Sequence, residues 1–253
     1  MKKIIFFLFI CSGFSFSQNN LKTIHVYVAL CDNINQGIVP VSKALGNGQD
    51  PKNNLYWGAM YGVKSYFKRS KDWTLVSTKI KPDSFILERL LFKHKTSNVY
   101  LLADAYNGKY IKNATIGFLE ATAGRSDVII LNGAQELKFG GCSNLLAYIG
   151  HDGLMEFDVK GDFTPLNENR RDVIILACIS KDYFKPYLQQ TKANPLVWST
   201  GLMSPEAYSL KWAIDGWILK ESDAQIRERA SQAYHHYQKC GIKGARNLLV
   251  TGY

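Results

Sequence analysis

A histidine and a cysteine each stand at the end of an apolar segment of the chain. His151 lies between two glycines in "AYIGHDG" (147–153), and Cys178 ends "VIILAC" (173–178). A cysteine thiolate is the attacking species of thiol catalysis, and a nearby histidine can act as its general base or electrostatic partner. These two residues therefore predict nucleophilic chemistry by Cys178 with His151 as its partner.

Backbone amides and hydroxyls around this pair are the expected partners of a substrate. Glycines beside His151 allow a substrate to approach the backbone, and backbone N–H groups can stabilise a developing oxyanion. Asp152 and Gly153 are therefore predicted to serve the oxyanion or the substrate cleft. Ser199 and Thr200 end a later apolar strand and are expected at the same rim. A strand-to-helix turn explains those two residues equally well.

The elements that must position these residues alternate along the chain. Strands are predicted over 23–30, 73–80, 98–105, 127–131, 144–150, 172–177 and 195–200 from their apolar, β-branched composition. Helices are predicted over 53–70, 85–91 with Asp83 as cap, 110–122, 180–190, 204–220 with Ser204 as cap, and 222–239. Such alternation predicts an α/β fold, a three-layer αβα sandwich with a mainly parallel sheet. Its working site is expected beyond the carboxyl ends of the strands.

The amino terminus has the pattern of a secretory signal. Lys2 and Lys3 precede the apolar run "IIFFLFICSGF", and Ser15 and Ser17 are small residues at the positions a signal peptidase requires. We therefore expect residues 1–17 to be a signal peptide cut near Ser17, and residues 18–253 to form a single domain. The protein is then secreted or periplasmic, without a transmembrane span after signal removal.

Charge and composition limit the classes of partner. The chain carries a net charge of +10, with 46% apolar and 13% aromatic residues, as expected for a globular protein with a basic surface. No nucleic-acid recognition motif accompanies the charge, so a protein or peptide substrate is expected rather than a specific nucleic acid. His236 and Cys240 are one helical turn apart, but they lack a second ligand pair, so neither a metal nor a cofactor is predicted.

Four cysteines follow the predicted cleavage site. Cys31, Cys142, Cys178 and Cys240 allow three complete disulfide pairings in an oxidising compartment. If one of them is a working thiol, at most one disulfide forms among the other three. The remaining cysteine is then expected to be buried and inert.

The histidine and cysteine motifs resemble those of the caspase-like (clan CD) cysteine peptidases. In that family a strand ending in His-Gly is followed by a strand ending in Ala-Cys, and the resemblance covers about two thirds of this chain. It implies a caspase-like fold and a secreted cysteine endopeptidase with a dyad of His151 and Cys178. The chain departs from the pattern at Asp152, where the family usually has glycine. The alternative is a non-catalytic caspase-like pseudoenzyme or envelope interaction module.

Overall fold

The computed structural model describes residues 21–253, which form ten strands and six α-helices. The strands are β1 (Lys22–Ala29), β2 (Trp73–Ile80), β3 (Ile86–His94), β4 (Val99–Tyr106), β5 (Val128–Asn132), β6 (Gln135–Phe139), β7 (Leu145–Ile149), β8 (Asp172–Leu176), β9 (Asn194–Ser199) and β10 (Leu249–Val250). The helices are α1 (Val63–Arg69), α2 (Ile111–Thr122), α3 (Ser180–Thr191), α4 (Ala207–Ile218), α5 (Asp223–Gln238) and α6 (Ile242–Leu248). The predicted signal peptide lies outside the described residues.

Eight of the strands form one sheet in the order β10-β9-β8-β7-β1-β4-β3-β2. Its centre is parallel, because β4, β1, β7, β8 and β9 all run in the same direction. β3 and β2 extend the sheet as antiparallel strands on one side, and the short β10 pairs antiparallel on the other. The α/β class with a mainly parallel sheet is therefore confirmed, and the five parallel strands end at one common edge.

Helices cover both faces of this sheet. Successive side chains of a strand point to opposite faces, so Val26 and Val28 of β1 join one core with α4 and α5, while Tyr27 joins a second core with α2 and α3. This layering is that of a three-layer αβα sandwich. A separate ribbon of β5 and β6 packs beside it through Leu137 and Phe139.

The helix predicted over 85–91 is wrong, because this segment is strand β3. Its apolar residues satisfy the three-four spacing of a helix, but the segment starts with the alternation of a strand. Ile86, Glu88 and Leu90 are buried, and Leu87 and Arg89 between them are less so. Asp83 caps no helix. Its Oδ1 accepts hydrogen bonds from the N–H groups of Phe85 at 2.8 Å and Ile86 at 3.0 Å, which fixes the turn into β3.

Two predicted helices begin later than expected. The segment before α1 consists of turns organised by Asn54, whose side chain donates to the Cys31 carbonyl at 2.8 Å and accepts from the Cys31 N–H at 3.1 Å. Ser204 does not cap α4, which starts at Ala207. The Ser204 N–H instead donates to the hydroxyl of Tyr234 at 3.1 Å. By contrast, α2, α3 and α5 match their predicted ranges within two residues.

Within residues 21–253, no helix combines enough length with enough apolar character to cross a bilayer.

Candidate functional site

The strands that deliver His151 and Cys178 are direct neighbours. β7 and β8 pair in parallel with Ile149 opposite Leu176, so the chain leaves both strands at the same edge. Gly150 makes the exit of β7 possible. Its φ is +148°, and a Cβ atom there would lie 2.7 Å from the carbonyl oxygen of Ala29, so a larger residue would disturb the junction of β7 with β1.

His151 and Cys178 line one cleft, with a volume of about 280 Å³. His151 is 7% exposed, whereas Cys178 is half-buried. The other walls are mainly apolar and include Ile38, Val39, Tyr56, Met155, Leu202 and Met203. An apolar, partly enclosed cleft with a few polar groups is the usual form of a binding site for a small molecule or a side chain.

A carboxylate holds the ring of His151. The Nε2 atom of His151 lies 2.5 Å from Oε1 of Glu156, and the same oxygen accepts a hydrogen bond from the Gly37 N–H at 2.5 Å. Nδ1 of His151 makes no hydrogen bond to any of residues 21–253. Glu156 thereby orients the imidazole and also ties the loop of Gly37 to the cleft wall.

The pairing of Glu156 with His151 has no signal in the sequence, because residues five apart do not face each other on a helix or a strand. A short 3-10 turn, Gly153–Met155, brings Glu156 back towards His151. The sequence does contain a signal for the 3-10 turn. Asp152 is its N-cap, and its Oδ1 accepts a hydrogen bond from the N–H of Leu154 at 3.0 Å.

Cys178 lies in the tight turn between β8 and α3. Its Sγ accepts a hydrogen bond from the Met203 N–H at 3.4 Å and donates to the Met203 carbonyl at 3.6 Å. The next residue, Ile179, has φ +50°, a left-handed conformation that is strained for a β-branched side chain and that occurs preferentially at functional sites. The amino terminus of the twelve-residue helix α3 follows, so the positive end of its dipole lies beside the thiol.

The backbone N–H of Cys178 has no acceptor within residues 21–253, whereas the Ile179 N–H donates to the Gly201 carbonyl at 2.9 Å. The Cys178 amide is thus the backbone donor at the thiol that an oxyanion would meet.

Ser199 and Thr200 lie behind the cleft and do not line it. Ser199 is fully buried, and its hydroxyl donates to the Ala177 carbonyl at 2.5 Å and accepts from the Ser180 N–H at 3.2 Å. It therefore clamps the turn that carries Cys178. Thr200 is exposed and donates to the Asn247 carbonyl at 2.8 Å, which attaches α6 to the end of β9. Ser199 thus holds the turn from β8 into α3, and Thr200 holds α6; neither belongs to a turn capped by Ser204.

Asp152 and Gly153 also lie outside the cleft lining. Asp152 is fully buried, its Oδ2 has no hydrogen-bond partner within residues 21–253, and burial raises its pKa to about 7. Gly153 packs under the ring of Phe157, where a Cβ atom would lie 2.5 Å from a ring carbon. These residues shape the turn that carries Glu156, so the oxyanion role expected of them does not fit their positions.

The four described cysteines are free thiols. Cys31 is buried, and desolvation raises its pKa to about 11, so it is protonated and unreactive at neutral pH. Cys142 and Cys240 are exposed. In residues 21–253, no group of three or more His, Cys, Asp or Glu side chains is placed to hold a metal ion.

No protein-family model, curated protein or solved structure matches this chain.

Proposed function

We propose that this protein is an exported cysteine endopeptidase with a caspase-like arrangement of its sheet. The observation that carries the proposal is the cleft, in which neighbouring parallel strands present His151 and Cys178 together. The position at the carboxyl edge of the sheet, the left-handed Ile179 and the free Cys178 amide support it. A dyad of thiol and imidazole in a partly enclosed cleft is suited to acyl transfer.

The reaction proceeds in two acyl-transfer steps. The Cys178 thiolate attacks the peptide carbonyl, forming a carbon–sulfur bond and an oxyanion that the Cys178 N–H stabilises. The carbon–nitrogen bond then breaks, and the imidazolium of His151 gives its proton to the departing amine. In the second step, His151 accepts a proton from water as the water attacks the thioester. The carboxylic acid leaves and the thiolate is restored.

Glu156 acts in this proposal as a positioning residue. Its contact with Nε2 of His151 fixes the ring and favours the imidazolium that forms during proton transfer. Nδ1 then remains as the nitrogen that exchanges the proton. The carboxylate touches neither the thiol nor the expected position of the peptide carbonyl, so it works only through His151.

The lining of the cleft indicates which substrates it accepts. Apolar side chains make up most of its walls, the lining contains no carboxylate, and Glu156 beside it is engaged by His151 and Gly37. An ionised substrate side chain would lose its hydration there without gaining an ion pair, which is unfavourable. We therefore expect cleavage beside an apolar residue.

One observation favours the alternative of a non-catalytic interaction module. Val39 is 88% exposed and Leu202 is 74% exposed, and both lie on the wall of the cleft. Exposed apolar side chains around a groove are also typical of surfaces that bind a partner. This alternative predicts that apolar peptides bind to the protein but remain intact.

A peptide-cleavage experiment separates the two functions. The protein is incubated with a peptide mixture that presents every residue type in equal amounts, and new termini are identified by mass spectrometry. The proposal predicts cleavage beside apolar residues, reduced at least about a thousandfold by Cys178→Ala. Cys142→Ala, which removes an exposed thiol elsewhere, serves as the control and leaves the rate unchanged. Intact peptides, or equal cleavage by Cys178→Ala, would exclude the endopeptidase.

A further inference from the structure

A second cavity, of about 260 Å³, lies between the sheet and helix α2. It shares no lining residue with the cleft of Cys178. Its floor is formed by residues of β1, β3 and β4, and one wall by α2, including Asn113, Gly117 and Glu120. The lining thus combines aromatic, amide and charged groups, unlike the largely apolar cleft.

Two tyrosine hydroxyls in this cavity lack partners. Tyr27 is 2% exposed and Tyr106 is 8% exposed, and neither hydroxyl hydrogen bonds to any described residue. The two rings stack with centroids 5.9 Å apart. The side chains are largely buried, but both residues line the cavity, so a ligand or water that enters it can hydrogen bond to the two hydroxyls.

A glycine on α2 leaves room beside these hydroxyls. A Cβ atom on Gly117 would lie 3.4 Å from the Tyr106 hydroxyl. Any longer side chain at this position would therefore extend into the cavity. Glycine in the middle of a helix lowers helix stability relative to alanine. At Gly117 this loss of stability is accompanied by open space beside the two hydroxyls.

The cavity carries unmatched negative charge. The one arginine of the lining, Arg89, makes two hydrogen bonds of 2.6 Å to the buried Asp104, which matches its charge. His25 is neutral, because its Nδ1 accepts a hydrogen bond from the Gly140 N–H and burial lowers its pKa. The other charged groups of the lining, Asp83 and Glu120, make no ion pair within residues 21–253. Glu120 accepts a hydrogen bond from the Ser126 hydroxyl, and Asp83 is exposed at the rim of the cavity.

We propose that this cavity binds a small organic cation, an ammonium or guanidinium compound. The N–H groups of such a ligand donate to the hydroxyls of Tyr27 and Tyr106, and its charge is balanced by Glu120 and Asp83. The stacked phenol rings provide the aromatic faces that organic cations prefer. This site does not depend on the chemistry of Cys178.

Binding is tested by calorimetric titration of the protein with agmatine, which carries a guanidinium and an ammonium group. Glutarate is the anionic probe of similar length. The proposal predicts saturable agmatine binding and no glutarate binding. Glu120→Gln and Tyr106→Phe each weaken agmatine binding by about tenfold, as expected for loss of a hydrogen bond with a charged partner. Glu136→Gln, on the exposed ribbon strand β6, is the matched control and leaves the affinity unchanged.

A cavity-filling variant distinguishes loss of the binding site from loss of the folded structure. Gly117→Leu adds apolar volume beside Tyr106, removes no polar group and raises the helix propensity of α2. It is predicted to abolish agmatine binding while circular dichroism and the thermal midpoint stay at or above those of the wild type. The proposal is overturned if agmatine does not bind, if glutarate binds equally, or if Gly117→Leu binds agmatine with unchanged affinity.

Discussion

The two ring nitrogens of His151 differ in their contacts. Nε2 is held by Glu156 at 2.5 Å, while Nδ1 has no partner in the described chain. A fixed carboxylate contact sets the tautomer and the orientation of a histidine, and it stabilises the protonated ring. The reactivity of Cys178 should therefore depend on a residue that does not touch the thiol.

Replacing Glu156 with glutamine removes the charge and keeps the shape of the side chain. We expect the rate of peptide cleavage to fall by about 10- to 100-fold, since His151 loses part of its general acid–base efficiency. Steady-state cleavage rates test this. Glu168→Gln, at a residue whose side chain is 90% exposed, should retain the wild-type rate.

Asp152 makes the stability of the protein depend on pH in an unusual direction. Its pKa is about 7 in the folded protein and 3.8 ordinarily, so between these values the folded state holds a proton that the unfolded state has released. Stability therefore falls as the pH rises from about 4 to 7 and stays low above this range.

Asp152→Asn should remove this dependence, because asparagine can still accept the Leu154 N–H and carries no charge. At pH 8 the variant should be more stable than the wild type, by up to about 4 kcal/mol; at pH 4 the two should be similar. Urea unfolding at both pH values measures this. The explanation is contradicted if the wild type is more stable than the variant by an amount that grows with pH. Asp158→Asn, at an exposed site, is the control.

At the scale of elements, the turn from β8 into α3 depends on Ser199. Its buried hydroxyl joins Ala177 and Ser180, the residues on either side of the Cys178–Ile179 pair. We expect Ser199→Ala to lower the free energy of unfolding by about 1–3 kcal/mol, since two buried backbone groups lose a partner, and to slow peptide cleavage. Chemical denaturation and cleavage rates measure both effects. Thr200→Ala, at the exposed neighbouring hydroxyl, should change neither by a comparable amount.

Strands and helices with a distinctive residue pattern can be predicted from the sequence, whereas those with an ambiguous pattern cannot. β1, β7, β8 and β9 are continuous apolar runs, which is typical of strands buried on both faces, and they were predicted correctly. β3 was mistaken for a helix, because its apolar residues fit both periods and Asp83 imitates a helix cap. The pairing of Glu156 with His151 was missed because it depends on the 3-10 turn between them.

At the scale of the whole molecule, a buried ionic network fixes the centre of the sheet. Asp104 of β4 contacts His25 of β1 at 2.9 Å and Arg89 of β3 at 2.6 Å. Burial alone would raise the pKa of Asp104, but the hydrogen bonds from Arg89 and His25 outweigh it and hold the pKa below its ordinary value. The stabilisation therefore persists at neutral pH and is lost as the pH falls through the acid range.

Replacing Asp104 with alanine should be among the most damaging changes in the core. It leaves the largely buried Arg89 charge without a partner, and we expect a loss of about 3–5 kcal/mol in the free energy of unfolding at pH 7. Guanidinium denaturation measures the loss. Asp158→Ala is the exposed control. A loss similar to that of the control would show that the network contributes little.

The position of the cleft follows from the topology of the whole sheet. Parallel strands in an α/β fold end at one edge, and this rule predicted that the residues after β7 and β8 would lie together. It did not predict which side chains would turn inwards. Asp152 precedes a turn that buries it, and Ser199 is needed behind the Cys178 turn, so both are structural.

The central claim is that the cleft activates Cys178 through His151. The most direct measurement is the second-order rate of alkylation of Cys178 by a peptide electrophile with an apolar side chain, followed by mass spectrometry with the exposed Cys142 as internal reference. We predict that Cys178 reacts at least about tenfold faster than Cys142 and than a free model thiol, and that His151→Ala removes this advantage. A Cys178 that reacts no faster than the model thiol, or equally fast without His151, would contradict the account.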